Sequence, residues 1–226
     1  MKHSLVLPLS FAVFAALSVA LHLSGVSVIE ENGLIENAQL TVLLLAVAVQ
    51  GLALAGLARR AGREDARALL AMGMVMISVP LAGTGREVNF GRMLGITPEA
   101  VDTAKLVYGV IVLLLILGGF GLWSVKVSRR WQRFRAFLAG PVCRPVYAAV
   151  AVFVLAGLLE NGKIGLPPSM LLEELAELAT FLLILEFALR FAQAAADTAV
   201  PPKTLRYGAV AWIYAAAVAA LVFLAV

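Results

Sequence analysis

The chain has almost none of the residues that build the commonest chemical sites. Cys143 is its one cysteine in 226 residues, which excludes an internal disulfide framework and a cysteine metal cluster. Its two histidines, His3 and His22, exclude a site that needs several imidazoles, such as a zinc hydrolase or a bis-histidine haem. Charged residues make up only 14% of it, against about a quarter in soluble domains. No phosphate-binding glycine loop, dinucleotide fingerprint, HExxH pair or Gly-x-Ser-x-Gly elbow occurs. The last apolar segment contains no lysine for a retinal Schiff base; Lys203 precedes it.

What fills the chain instead is hydrocarbon. Hydrophobic residues make up 62% of it, too many for a water-soluble fold to cover with polar surface. They fall in runs that approach or exceed the roughly 20 residues a helix needs to cross a bilayer. The runs are continuously apolar rather than alternating, so they predict helices and not a barrel. The expected fold is all-α: one polytopic transmembrane domain over residues 1–226, with seven spans near 4–26, 36–57, 67–84, 99–124, 142–160, 170–192 and 206–226. Lys2, an apolar stretch and "SVA" before Leu21 have the outline of a signal peptide. The apolar run continues past that point, so the segment is expected to stay as a first helix.

Charge sorts by side. Basic residues cluster after the second, fourth and sixth runs, in "ARRAGREDAR", in "KVSRRWQRFR" and around Lys203 and Arg206. With Lys2, fourteen of the eighteen Lys and Arg fall on one side. Positive-inside bias then predicts a bacterial-type inner (plasma) membrane protein with its N-terminus in the cytoplasm and its C-terminus outside. The pI near 9.5 follows from this clustering and does not imply a nucleic-acid partner. Ten of the fourteen acids fall on the opposite side. Acids contribute little to topology, so their segregation needs another cause.

A repeat suggests one. Glu31-Asn32-Gly33 recurs as Glu160-Asn161-Gly162, "ENAQLTVLLL" from Glu36 as "ELAELATFLL" from Glu174, and Arg67 before the third run as Arg206 before the seventh. Residues of about 4–84 and about 142–226 thus look like two copies in one orientation, joined by a linker helix at about 99–124. This three-plus-one-plus-three layout is that of parallel-repeat transporters, whose site lies between the halves. Only the layout is similar to the SWEET sugar transporters. The Pro-Gln pair of their superfamily is absent, so no function is carried over from them.

Within this frame each Glu-Asn-Gly reads as a helix terminator, with glycine in the left-handed conformation. Pro167-Pro168-Ser169 reads as a breaker before a helix starting near Met170, and Thr97-Pro98-Glu99 as N-cap, N1 proline and first-turn acid. Glu174 and Glu177 share one face a turn into an apolar helix, and Glu36 and Gln39 share the matching face of the second. Ionised groups at such depth usually meet a cavity or a partner. The main candidate site is therefore Glu36, Gln39, Glu174 and Glu177 with Arg86, Glu87 and Asn89, where Arg86 is placed to clamp a carboxylate. Glu31, Asn32, Glu160, Asn161, Asp102, Lys105 and His22 form a secondary set.

Three chemistries suit these residues. Glu36, Glu174 and Glu177 could form an all-oxygen site for a divalent cation, Mg²⁺, Ca²⁺ or Mn²⁺. Carboxylates with altered proton affinity suit proton coupling. Carboxylates with Arg and Asn could hold a polar lipid headgroup or act on it by general acid–base catalysis. A structural salt-bridge network including Arg86 and Arg92 is the plain alternative. Glu186 is rotated about half a turn from Glu177 and pairs in sequence with Arg190, so no continuous acidic path crosses the chain. The expected function is transport or binding of a cation or small polar solute from the outer side. The alternatives are a membrane-embedded enzyme acting on a lipid headgroup and a non-catalytic assembly or sensor subunit. Expected partners are the bilayer and a solute, ion or headgroup.

Overall fold

The computed structural model describes residues 6–25, 34–87, 97–160 and 169–198. Every regular element among them is an α-helix: α1 Val6–Leu23, α2 Leu34–Ala58, α3 Glu64–Met76, α4 Ser78–Glu87, α5 Pro98–Lys126, α6 Arg130–Ala139, α7 Arg144–Glu160 and α8 Ser169–Asp197. In hydrocarbon a backbone must satisfy its own N–H and C=O groups, which a helix does within one segment. Three segments are long and apolar enough to cross a bilayer: Leu34–Ala58, Glu64–Arg86 and Ala100–Lys126. A fourth is added if Arg130–Ala139 and Arg144–Leu159 count as one broken span.

Seven spans were expected from the sequence. The apolar part of α1, Phe11–His22, is short. Helix α8 has 29 residues but carries Glu173, Glu174, Glu177, Glu186 and Arg190. The segment 206–226 lies outside the described residues. The chain divides into two compact units, and neither coincides with an expected repeat. One draws on Met1–Val42 and Pro145–Glu186, the other on Leu43–Arg144 and Phe187–Pro202.

Local chemistry sets the helix ends. Thr97 caps α5 as expected: its side chain accepts from the Ala100 N–H, and Pro98 opens the helix. The terminator of α1 is not Glu31-Asn32-Gly33, which lies outside the described residues. The helix stops at Leu23, and Gly25 takes the left-handed conformation at φ +84. The Gly25 N–H donates to the His22 carbonyl and the Ser24 hydroxyl to the Leu21 carbonyl, so the last turn is satisfied there. The expected third span is present as the segment Glu64–Arg86, with an irregular turn at Ile77 between α3 and α4. Pro80 has no N–H and its ring crowds the carbonyl four residues back, at Met76. The Ser78 hydroxyl donates to the Val75 carbonyl at 2.5 Å there.

The second unit is closely packed through its glycines. A methyl placed on Gly119 of α5 would lie 2.7 Å from the Ala71 carbonyl oxygen of α3. The backbones of α3 and α5 therefore meet directly, as small residues allow in membrane helices. Below α4, the Tyr108 hydroxyl donates to the Leu81 carbonyl at 2.6 Å. Gln50 is fully buried and donates from Nε2 to the Gly73 carbonyl at 3.2 Å. The outer faces of α5 and α7 are apolar and exposed, including Leu106, Leu114, Phe120, Val150 and Phe153. Contiguous surface of this kind marks a membrane interface. Among the described residues the protein is all-helical, with three or four segments that could span a membrane, consistent with a membrane protein.

Candidate functional site

The first unit is acidic in composition. Its described residues contain Glu36, Glu160, Glu173, Glu174, Glu177 and Glu186 and no Lys or Arg. Helices α2 and α8 bring part of this charge together. Gln39 and Glu174 stand at the same place in their helices, each five residues past the first, at Leu34 and Ser169. The Gln39 amide donates from Nε2 to the Glu174 carboxylate oxygen Oε2 at 2.9 Å and to the Glu174 backbone carbonyl at 3.0 Å. Both of its N–H bonds are thereby used. Gln39 is fully buried, and its Oε1 has no hydrogen-bond partner. Because both partners are acceptors, the orientation of the amide is fixed.

Glu177 lies one turn further along α8 and is only 6% exposed, next to buried Leu178 and Thr180. Glu36 sits one turn before Gln39 and is half-buried. Glu177, Glu173 and Glu36 all lie near enough to Glu174 to act on its charge. Among the described residues, no group of three or more His, Cys, Asp or Glu is arranged to hold a metal ion.

The remaining expected residues are distributed as follows. Arg86 is exposed in the last turn of α4 and belongs to the second unit, as does Glu87 at the end of that helix. Asp102 and Lys105 are exposed on the first turns of α5, also in the second unit. His22 is half-buried in the last turn of α1. Glu160 ends α7. Glu31, Asn32, Asn89, Arg92 and Asn161 lie outside the described residues.

Two features were not read from the sequence. Arg60 donates to the Ala195 carbonyl at 3.2 Å and Arg63 to the Thr198 carbonyl at 2.6 Å, within the second unit. Both carbonyls lie at the C-terminal end of α8, where backbone acceptors lack helical partners and cations are favoured. These bonds join residues 135 apart, as Gln39 and Glu174 are. The signal available in the sequence was the shared "EN" and "EL" starts of the two helices, which align at a slightly different offset. The other missed feature is Ser18 of α1, fully buried with its hydroxyl unpartnered.

Comparison with known proteins adds nothing to this geometry: no protein family matches the chain, and no curated protein or solved structure matches it.

Proposed function

We propose that this is a multi-span inner-membrane protein that binds, and by extension carries, a cation or small polar solute at the Gln39–Glu174 pair. The observation that carries the reading is the state of the Gln39 amide. Its donors are consumed by Glu174, and its acceptor is buried and unused. An ionised carboxylate also only accepts. The group that completes such a site must bring N–H or O–H donors or positive charge. An unused buried acceptor costs about 1–3 kcal/mol, which a ligand with a donor there would recover.

The wider architecture in this reading has seven spans in two parallel halves, with N-terminus in and C-terminus out. Support comes from the contact between Gln39 of α2 and Glu174 of α8, which stand at the same place in their helices, and from the charge at the helix ends. The acids stand at the helix starts, and Arg60 and Arg63 at the other end, as positive-inside bias requires.

The test uses the purified full chain in detergent with sodium, potassium, choline, spermidine, lysine and glucose as probes. At least one probe raises the melting temperature of the native chain. The rise is lost in Glu174→Gln and in Glu177→Gln while the helical circular dichroism is kept. Uptake of that probe into proteoliposomes then separates carriage from binding alone. If no probe shifts the native chain, or both variants keep the shift, the reading fails.

A further inference from the structure

Helix α6 carries a second surface, independent of the Gln39–Glu174 pair and in the other unit. Its sequence, "RWQRFRAFLA", is too rich in arginine to sit in hydrocarbon. One arginine at the bilayer centre costs at least about 2.5 kcal/mol, and Arg130, Arg133 and Arg135 fall within six residues here. Nor is it a free loop. Arg129 turns the chain out of α5 in the left-handed conformation, at φ 45. Ser128 donates its N–H to Glu64 at 2.9 Å, and Arg133 pairs with Asp65 at 2.5 Å. The first turn of α3 therefore holds α6 in one orientation at the end of α5.

That orientation leaves an amphipathic face with Trp131 and Phe134 exposed. At about 100° per residue, Trp131, Phe134 and Leu138 form one stripe, and Arg133 points away from it toward Asp65. Trp131 is 65% exposed and Phe134 37%. The two rings stack on each other at 5.8 Å, and the Arg135 guanidinium lies 5.7 Å from the Trp131 ring. Arg130 and Arg135 flank the stripe on its two sides, and both are exposed. Aromatic rings between arginines suit one environment: rings at the headgroup level, with cations reaching to phosphates beside them. The stripe adjoins the exposed apolar face of α5, with Phe134 packed edge-on against Trp123 of that helix at 6.3 Å. Continuity with a lipid-facing surface and positive charge around the stripe together select the occupant.

We propose that α6 is an interfacial helix whose Trp131–Phe134 face, flanked by Arg130 and Arg135, binds the anionic phospholipids of the leaflet on the basic side of the protein. The ligand class is a phosphodiester headgroup with net negative charge. Each flanking arginine contributes a preference of about fivefold for anionic over zwitterionic lipid, and salt weakens it.

The test uses the full chain with Trp123→Phe and Trp212→Phe, leaving Trp131 as the fluorophore. The protein is reconstituted in mixed phosphatidylcholine and phosphatidylglycerol vesicles in which one lipid or the other is brominated. Brominated phosphatidylglycerol is expected to quench Trp131 several-fold more strongly than its share of the lipid predicts. The excess disappears in Arg130→Gln/Arg135→Gln and persists in Arg130→Lys/Arg135→Lys, which keeps the charge. Equal quenching by the two lipids in the parent protein overturns the proposal. So does quenching of Trp131 by aqueous iodide with none by either brominated lipid, which would place the face in water. Protection of Trp131 from both iodide and brominated lipid would assign it to a protein partner and also overturns the proposal. A Lys pair that loses the preference while the protein stays folded overturns the electrostatic part.

Discussion

A glycine that meets the backbone of a neighbouring helix gives the sharpest mechanical prediction. At Gly119 an added methyl would meet the Ala71 carbonyl oxygen at 2.7 Å and Val75 Cγ2 at 2.8 Å. The first of these is backbone inside α3 and cannot rotate away, so Gly119→Ala must push α3 and α5 apart. Overpacking of this kind costs about 1–3 kcal/mol. Replacing a helical glycine by alanine returns up to about 1 kcal/mol in helix propensity. The net effect at Gly119 is destabilisation of about 0–3 kcal/mol. Gly121, two residues on, has no atom within 4 Å of an added methyl. There the propensity gain acts alone, so Gly121→Ala is neutral or stabilising by up to about 1 kcal/mol. The two variants should differ by the steric cost, about 1–3 kcal/mol. Gly118 falls between, because its neighbour is the mobile tip of Met74, at 2.9 Å. Unfolding of the three variants in one detergent, followed by circular dichroism against added denaturing surfactant, ranks them. If Gly119→Ala resists unfolding as well as Gly121→Ala does, the direct backbone contact of α3 with α5 is refuted.

Two further outcomes follow from single side chains. Cys143 is 1% exposed between α6 and α7. Maleimide labelling should be slow in the folded protein and fast after denaturation, and equal rates would contradict the burial. Gln50 is fully buried with one hydrogen bond, to the Gly73 carbonyl, and an unpartnered Oε1. Because the residue carries an orphaned acceptor, Gln50→Met should change unfolding stability by less than about 1 kcal/mol. A loss above about 3 kcal/mol would show that the amide does more than fill space.

The parts of the fold that could be read from sequence are those set by local rules. The N-cap Thr97 and Pro98 stand where their chemistry places them. The basic segment 126–135 counts in the sequence as positive-inside charge. The structure makes Arg130–Ala139 a helix, in which Trp131, Phe134 and Leu138 keep helical spacing within a polar stretch. The third run, with Pro80 inside it, is one apolar segment in the structure, Glu64–Arg86, with an irregular turn at Ile77. Gly33 reads in the sequence as the terminator of the first helix, and the structure closes that helix earlier, at Gly25.

The residues of the candidate site divide in the same way. The shared acidic starts of α2 and α8 singled out Glu36, Gln39, Glu174 and Glu177 as a group. They did not show that the Gln39 amide donates to the Glu174 carboxylate. Nor did they show that Arg86 belongs to the other unit. Hydrophobic length, cap residues and the side on which arginines collect are properties of the chain taken a few residues at a time, so the medium, the helical class and the sorting of charge were determined by sequence alone. Which glycine meets a backbone, which acid takes the Gln39 amide and which acid holds Arg133 depend on the rotation and register of one helix against another. In uniformly apolar helices every face is equally greasy, so periodicity carries no record of that rotation, and only the tertiary structure decided it.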